Sequence, residues 1–166
     1  IKYKNKMIEI EKYSERDKDE IIAIVLHCQN DGTRPLVSVE DQPELLCIRE
    51  KYIDNGGCFW VAKENGKVVG TIGLMNKGNG LCILKKFFVY KPYRGNPHHL
   101  GQQLYTVFLD FAKVHGFSKI ILDTPKNTDR AHSFYEKSGF KKIEKEELPI
   151  KYDYPYDDSH FFYLDL

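Results

Sequence analysis

The segment Val89-Tyr90-Lys91-Pro92-Tyr93-Arg94-Gly95-Asn96-Pro97-His98-His99-Leu100-Gly101-Gln102-Gln103-Leu104 joins the end of an apolar run to the start of an amphipathic one. The first N–H groups of a helix have no partner within it, and the helix dipole adds roughly half a positive charge there. Arg94 adds a full charge, and Gly95 and Gly101 let a ligand come close to the backbone. These residues suit an anion, above all a phosphate or pyrophosphate. A plain strand-to-helix turn with a solvated Arg94 is the bland reading of the same segment. The loop matches neither the Walker pattern nor the Gly-x-Gly-x-x-Gly dinucleotide pattern. His98 and His99 are adjacent, which is poor geometry for a shared metal, and no metal site is expected.

The elements that position this loop follow from periodicity. Met7–Glu11 alternates apolar and charged residues, a short strand. Ser14-x-x-Asp17 is a capping-box pattern before Ile21, Ile22, Val25 and Leu26, and Ser38-x-x-Asp41 repeats it before Leu45, Leu46, Ile48, Tyr52 and Ile53. Two helices are expected there, the second stopped by Asn55-Gly56-Gly57. Cys58–Lys63 and Val68–Met75 flank an Asn65-Gly66 hairpin turn. Leu81–Val89 is a further run, apolar enough to be buried on both faces. Leu100, Leu104, Val107, Phe108 and Phe111 form a helical stripe ended by Gly116. Lys119–Leu122 is a strand, Thr128–Ser138 a helix, and Phe140–Ile143 and Phe161–Leu166 are closing strands. The strand–helix–strand unit 81–122 predicts a parallel pair with a right-handed crossover. The order implies an α/β domain with one mixed sheet and helices on both faces.

Composition sets outer limits. The 166 residues suit one domain, 1–166, with 1–6 read as a tag or a disordered lead. Lys and Arg number 25 against 24 Asp and Glu, a net charge of +1, so no general attraction to nucleic acid or anionic membrane is expected. No apolar run approaches the ~20 residues of a membrane helix. Cys28, Cys47, Cys58 and Cys82 contain no Cys-x-x-Cys pair and read as reduced thiols in a cytoplasmic protein, although their number would also allow two disulfides.

Two segments together carry a family resemblance. Arg94-Gly95 and Leu100-Gly101 bracket a loop whose strand holds Val89 five residues before the Arg. Downstream stands Ala131-His132-Ser133-Phe134-Tyr135-Glu136-Lys137-Ser138-Gly139-Phe140. In both, the chain resembles the GNAT family of N-acetyltransferases, over essentially Met7–Leu166, and within it a bacterial subgroup. The loop departs from the family pattern by about two extra residues, by Pro97, and by His99 where a glycine is usual.

The resemblance implies a mostly antiparallel sheet of about seven strands and about four helices, with a parallel pair at the cofactor site. It implies acetyl-CoA as co-substrate, no metal, and direct attack of a small or peptide amine on the thioester. Phe87, Phe88 and Val89 would pair with the cofactor's amides, and the Val89 N–H would face the developing oxyanion. Arg94, Gly95, His99, Leu100, Gly101 and Gln102 would surround its phosphates. Phe134 and Tyr135 would line it, with Tyr135 as proton donor to the leaving thiolate. Asn127 either reaches the cofactor or caps the helix. The base stays open among Asp123, Glu40, Asp41 and water. Gln29, Asp41, Tyr152 and Asp157 are the acceptor-site candidates, acid and aromatic residues that would suit a cationic amine, or else belong to solvated loops. A non-catalytic acyl-CoA-binding regulatory module is the rival on the same fold. An unrelated phosphate-binding protein is a third reading. Monomer and homodimer are both compatible with the sequence.

Overall fold

The computed structural model describes residues 8–32 and 35–166; the reading of 1–6 lies outside them. Seven strands form one sheet: β1 (Ile8–Lys12), β2 (Cys58–Glu64), β3 (Lys67–Gly78), β4 (Leu81–Val89), β5 (Lys119–Thr124), β6 (Lys141–Ile143) and β7 (His160–Asp165). Their order is β1-β2-β3-β4-β5-β7-β6. Only β4 and β5 are parallel neighbours, and the other pairs are antiparallel. The expected hairpin is present, with Asn65 and Gly66 at φ 51° and 80°, as its tight turn requires.

Among the described residues three α-helices cover the sheet: α1 (Lys18–Gln29), α2 (Leu100–Val114) and α3 (Asp129–Lys137). The stripe on α2 buries Leu100, Leu104, Phe108 and Ala112 against Ile72, Leu74 and Cys82, with Tyr135 of α3 in the same core. On the opposite face Ile21, Ile24 and Val25 of α1 meet Phe59, Val61 and Ile83. Residues Leu81–Lys86 of β4 are buried throughout, because both faces are covered.

The second expected helix takes another form. Its capping box is made, with the Ser38 N–H donating to Asp41 Oδ2 at 2.9 Å. It starts only a 3-10 turn, Val39–Asp41. Pro43 biases Gln42 away from helical backbone, and Gln42 sits at φ −145°, ψ 65°. A second 3-10 turn (Pro43–Leu46) and a π-helical turn (Arg49–Ile53) follow. The apolar spacing still serves, since Leu45, Ile48 and Tyr52 are fully buried.

Candidate active site

β4 and β5 pair only at Leu81–Ile83 with Lys119–Ile121, then diverge. The cause is a bulge. Thr71 pairs with Phe88 and Gly73 with Lys85, so Lys86 and Phe87 together face Ile72. Lys86 takes φ 51° to allow this, and a bulge bends its strand and re-aims its side chains. The gap is a cleft of about 720 Å³ lined by Phe87, Phe88 and Val89 on one side and Asp123, Thr124 and Tyr135 on the other. Tyr90 donates its N–H to Val69 O at 3.1 Å. Peptide groups alternate along a strand, which turns the Val89 N–H to the opposite side, toward the cleft. Its carbonyl accepts from Arg94 Nε at 2.7 Å.

The N-terminus of α2 forms the outer end. Gln103 is the first residue of the helix whose N–H finds a backbone acceptor, His99 O at 3.2 Å. The amides of Leu100, Gly101 and Gln102 therefore remain open, as the first turn of a helix leaves them. His99 adopts φ 46°, ψ 42°, left-handed backbone of the kind glycine takes readily, and its Nε2 lies 2.6 Å from Asn96 Oδ1. A Cβ added at Gly101 would stand in the cleft with only Phe87 Cζ near it, at 3.7 Å, so the bare backbone leaves room for a ligand. Arg94 differs from a purely solvated cation: it ties the loop to Val89 and lines the cleft. Gly95, His99 and Gln102 also line it, whereas the Leu100 side chain is buried in the core and contributes only its backbone. Thr128 takes the cap position of α3, its hydroxyl donating to Pro125 O at 2.7 Å, and Asn127 faces the cleft.

Tyr135 and Asp123 stand at the inner end. The Tyr135 ring packs on Phe87, Phe134, Phe140 and Phe162. Burial raises its phenol pKa, with the Asp123 charge adding to the shift. Burial also raises the Asp123 carboxyl above its ordinary value, against the pull of Lys85, a hydrogen bond from Tyr152 and the pull of Lys86. That bond, Tyr152 OH to Asp123 Oδ1, is 3.1 Å.

Next to them is a cluster the sequence reading did not assemble. Lys86 Nζ lies 3.1 Å and Lys85 Nζ 3.5 Å from Glu44 Oε1. Tyr52 donates to Glu44 Oε2 at 2.7 Å, and Lys86 to Gln42 Oε1 at 2.6 Å. Gln42 and Gln29 bond each other through both amide groups. Burial lowers the Lys86 pKa, opposed by Glu44. Burial works to raise that of Glu44, but Lys86, Lys85 and Tyr52 outweigh it and leave it below its ordinary value. Two adjacent lysines in an otherwise apolar strand were the available signal.

The acceptor candidates divide. Gln29 lines the cleft and Tyr152 reaches it through Asp123. Asp41 does not line it, because its carboxylate is occupied as the cap of its own turn. Asp157 is exposed and outside the lining, while its neighbours Pro155 and Tyr156 belong to it. Glu40 is likewise exposed and outside it. Among the described residues no group of three or more His, Cys, Asp or Glu side chains could hold a metal ion. Nor is any helix there long and apolar enough to cross a membrane.

Comparison with known proteins gives a consistent picture. The model of the acetyltransferase (GNAT) family matches residues 15–140. The chain is 35% identical over 109 residues to the probable N-acetyltransferase camello of Xenopus tropicalis, covering 64% of this chain and 49% of that one. It thus spans about half the length of that curated relative. An acetyltransferase structure from Streptococcus agalactiae is 37% identical, with a TM-score of 0.91 over 96% of this chain and 98% of the other. A GNAT-family acetyltransferase structure from Staphylococcus aureus is 33% identical, with a TM-score of 0.86 over 96% and 99%. A restriction to a bacterial subgroup is not borne out, since the similarity extends to a frog protein.

Proposed function

Because the chain belongs to the acetyltransferase (GNAT) family, we propose that it is an acetyl-CoA-dependent N-acetyltransferase, acting on a small or peptide amine by direct attack on the thioester. The single observation that carries this is the cleft between β4 and β5. At one end it offers the open amides of Leu100, Gly101 and Gln102, and along its wall the Val89 N–H. A pyrophosphate suits the former and a carbonyl oxygen gaining negative charge suits the latter. When bound, acetyl-CoA supplies an acetyl group activated as a thioester.

The chain's own residues then divide the work. Phe87, Phe88 and Val89 present a strand edge that β5 has left, on which an amide-bearing arm can pair. Asp123 takes the proton lost by the amine as the new N–C bond forms. Its raised pKa makes it a better base than an ordinary carboxylate. Tyr135 gives its proton to sulfur as the C–S bond breaks; its raised pKa keeps it protonated at neutral pH. Glu40 and Asp41 are poorer candidates for the base, since neither lines the cleft.

We read 1–166 as one such domain. We read the chain as cytoplasmic, its four cysteines taken as reduced thiols. The test is a thermal-shift titration with acetyl-CoA, CoA and ATP at matched concentrations. A ligand at ~100 times its Kd stabilises by about 2.7 kcal/mol, so both CoA species should raise the melting temperature and ATP should not. No rise with either CoA species would overturn the reading.

A further inference from the structure

The β4 bulge does more than separate β4 from β5. Successive side chains of a strand point to opposite faces, so Lys85 and Lys86 should diverge. The bulge, with Lys86 at φ 51°, brings both ammonium groups to one carboxylate, Glu44, at 3.5 and 3.1 Å. Left-handed backbone is costly for a residue other than glycine. Both lysines line the cleft, with side chains only 7% and 4% exposed.

Glu44 is the carboxylate in direct contact with both. Among the described residues no carboxylate other than Glu44 lies within 4.0 Å of either ammonium. Asp31, Asp123 and Asp129 also line the cleft; Asp123 feels the charge of both lysines without touching them and is bonded by the Tyr152 hydroxyl. The Gln29–Gln42 pair is neutral and fixes the Lys86 ammonium through Gln42 Oε1. Two buried cations in contact with a single carboxylate are stabilised further by an anion that reaches them directly. The acids expected to attract a cationic acceptor, Asp41 and Asp157, are outside the cleft.

We infer that the acceptor is a small amine that also carries a carboxylate, which docks on Lys85 and Lys86 while its nitrogen faces Asp123 and Val89. This rests on the acetyl-transfer reading. The same two charges would favour the neutral form of the acceptor nitrogen, which is the form that attacks.

The experiment compares the common α-amino acids with their carboxamides and their decarboxylated amines, as acceptors with acetyl-CoA. Alongside, the N-acetylated acids and N-acetylated amides are titrated into the CoA-bound full chain by thermal shift. The acids should be preferred by ~10–100-fold in kcat/KM and in binding, the range for a hydrogen bond to a charged group. Lys86→Met should reduce that preference to within about 3-fold while acetyl-CoA affinity holds; Lys85→Met serves if the first variant does not fold. Equal use and equal binding of acids and uncharged analogues by the wild-type chain overturns the inference, with no variant needed. Acid-selective binding that depends on either lysine, without turnover of any amine, would overturn the transfer reading and the acceptor role with it, leaving the two lysines as a carboxylate-binding site.

Discussion

Tyr135 holds its hydroxyl on a ring wedged among Phe87, Phe140 and Phe162, so packing fixes where its proton can be delivered. The ring is core and its edge is cleft, which is why the sequence could support either a structural or a catalytic reading. Asp123 adds to the raised pKa of that phenol, and in the proposed mechanism the two groups are the acid and the base of one site. Tyr135→Phe should lower kcat by ~10²-fold with acetyl-CoA affinity within about 2-fold. Unchanged kcat would remove the Tyr135 hydroxyl from the proton transfer to sulfur. Asp123 works as a base only when ionised. The rate should therefore fall as pH drops through its pKa, which lies above the ordinary ~3.9 because of burial. Asp123→Asn should lower the plateau and abolish that acid limb, and a limb that survives unchanged would assign the proton transfer to water or another group.

α2 delivers its open amides to the cleft only if it lies close against β3, and Gly70 permits this. A Cβ there would meet Leu104 Cδ1 at 2.9 Å, Leu100 Cδ2 at 3.3 Å and Phe88 O at 3.4 Å. Gly70→Val should cost about 1–3 kcal/mol in urea unfolding and weaken CoA binding, because Leu100 begins the helix. Lost stability with unchanged CoA affinity would detach the amides' position from this contact. Most elements were legible because their signals are local: Asn65-Gly66, the α2 stripe and the Phe134–Phe140 signature each lie within one segment. The second helix was not, because Pro43 breaks it into tight turns whose apolar spacing mimics a helix. Nor was the meeting of Lys85, Lys86 and Glu44. It depends on a bulge and on a π-helical turn's neighbour packing across the sheet, and no periodicity encodes either. His99 read as a departure from the family pattern, yet its backbone takes the left-handed shape that a glycine adopts readily.

At the scale of the whole molecule, the sheet separates two cores, one under α2 and α3 and one under α1 and the 43–53 turns. The Glu44 cluster joins the second of these to the cleft. Tyr52, fully buried, donates to Glu44, and Glu44 holds the two lysines of the central strand. Its loss should therefore be felt by the whole fold. Glu44→Gln leaves Lys85 and Lys86 without their shared anion and should cost about 3–5 kcal/mol, the range for breaking one partner of a buried pair. The pH dependence has a definite sign. The folded pKa of Glu44 is depressed, so its contribution is complete above the unfolded value of ~4.3 and is lost as pH falls through the folded one. Urea unfolding of both proteins between about pH 7 and pH 3 checks this. The wild-type advantage should shrink toward the acid end, because protonated Glu44 leaves the same two charges unanswered. An advantage that stays constant with pH would mean that Glu44 stabilises through packing and the Tyr52 hydrogen bond, and that the lysines do not depend on its charge.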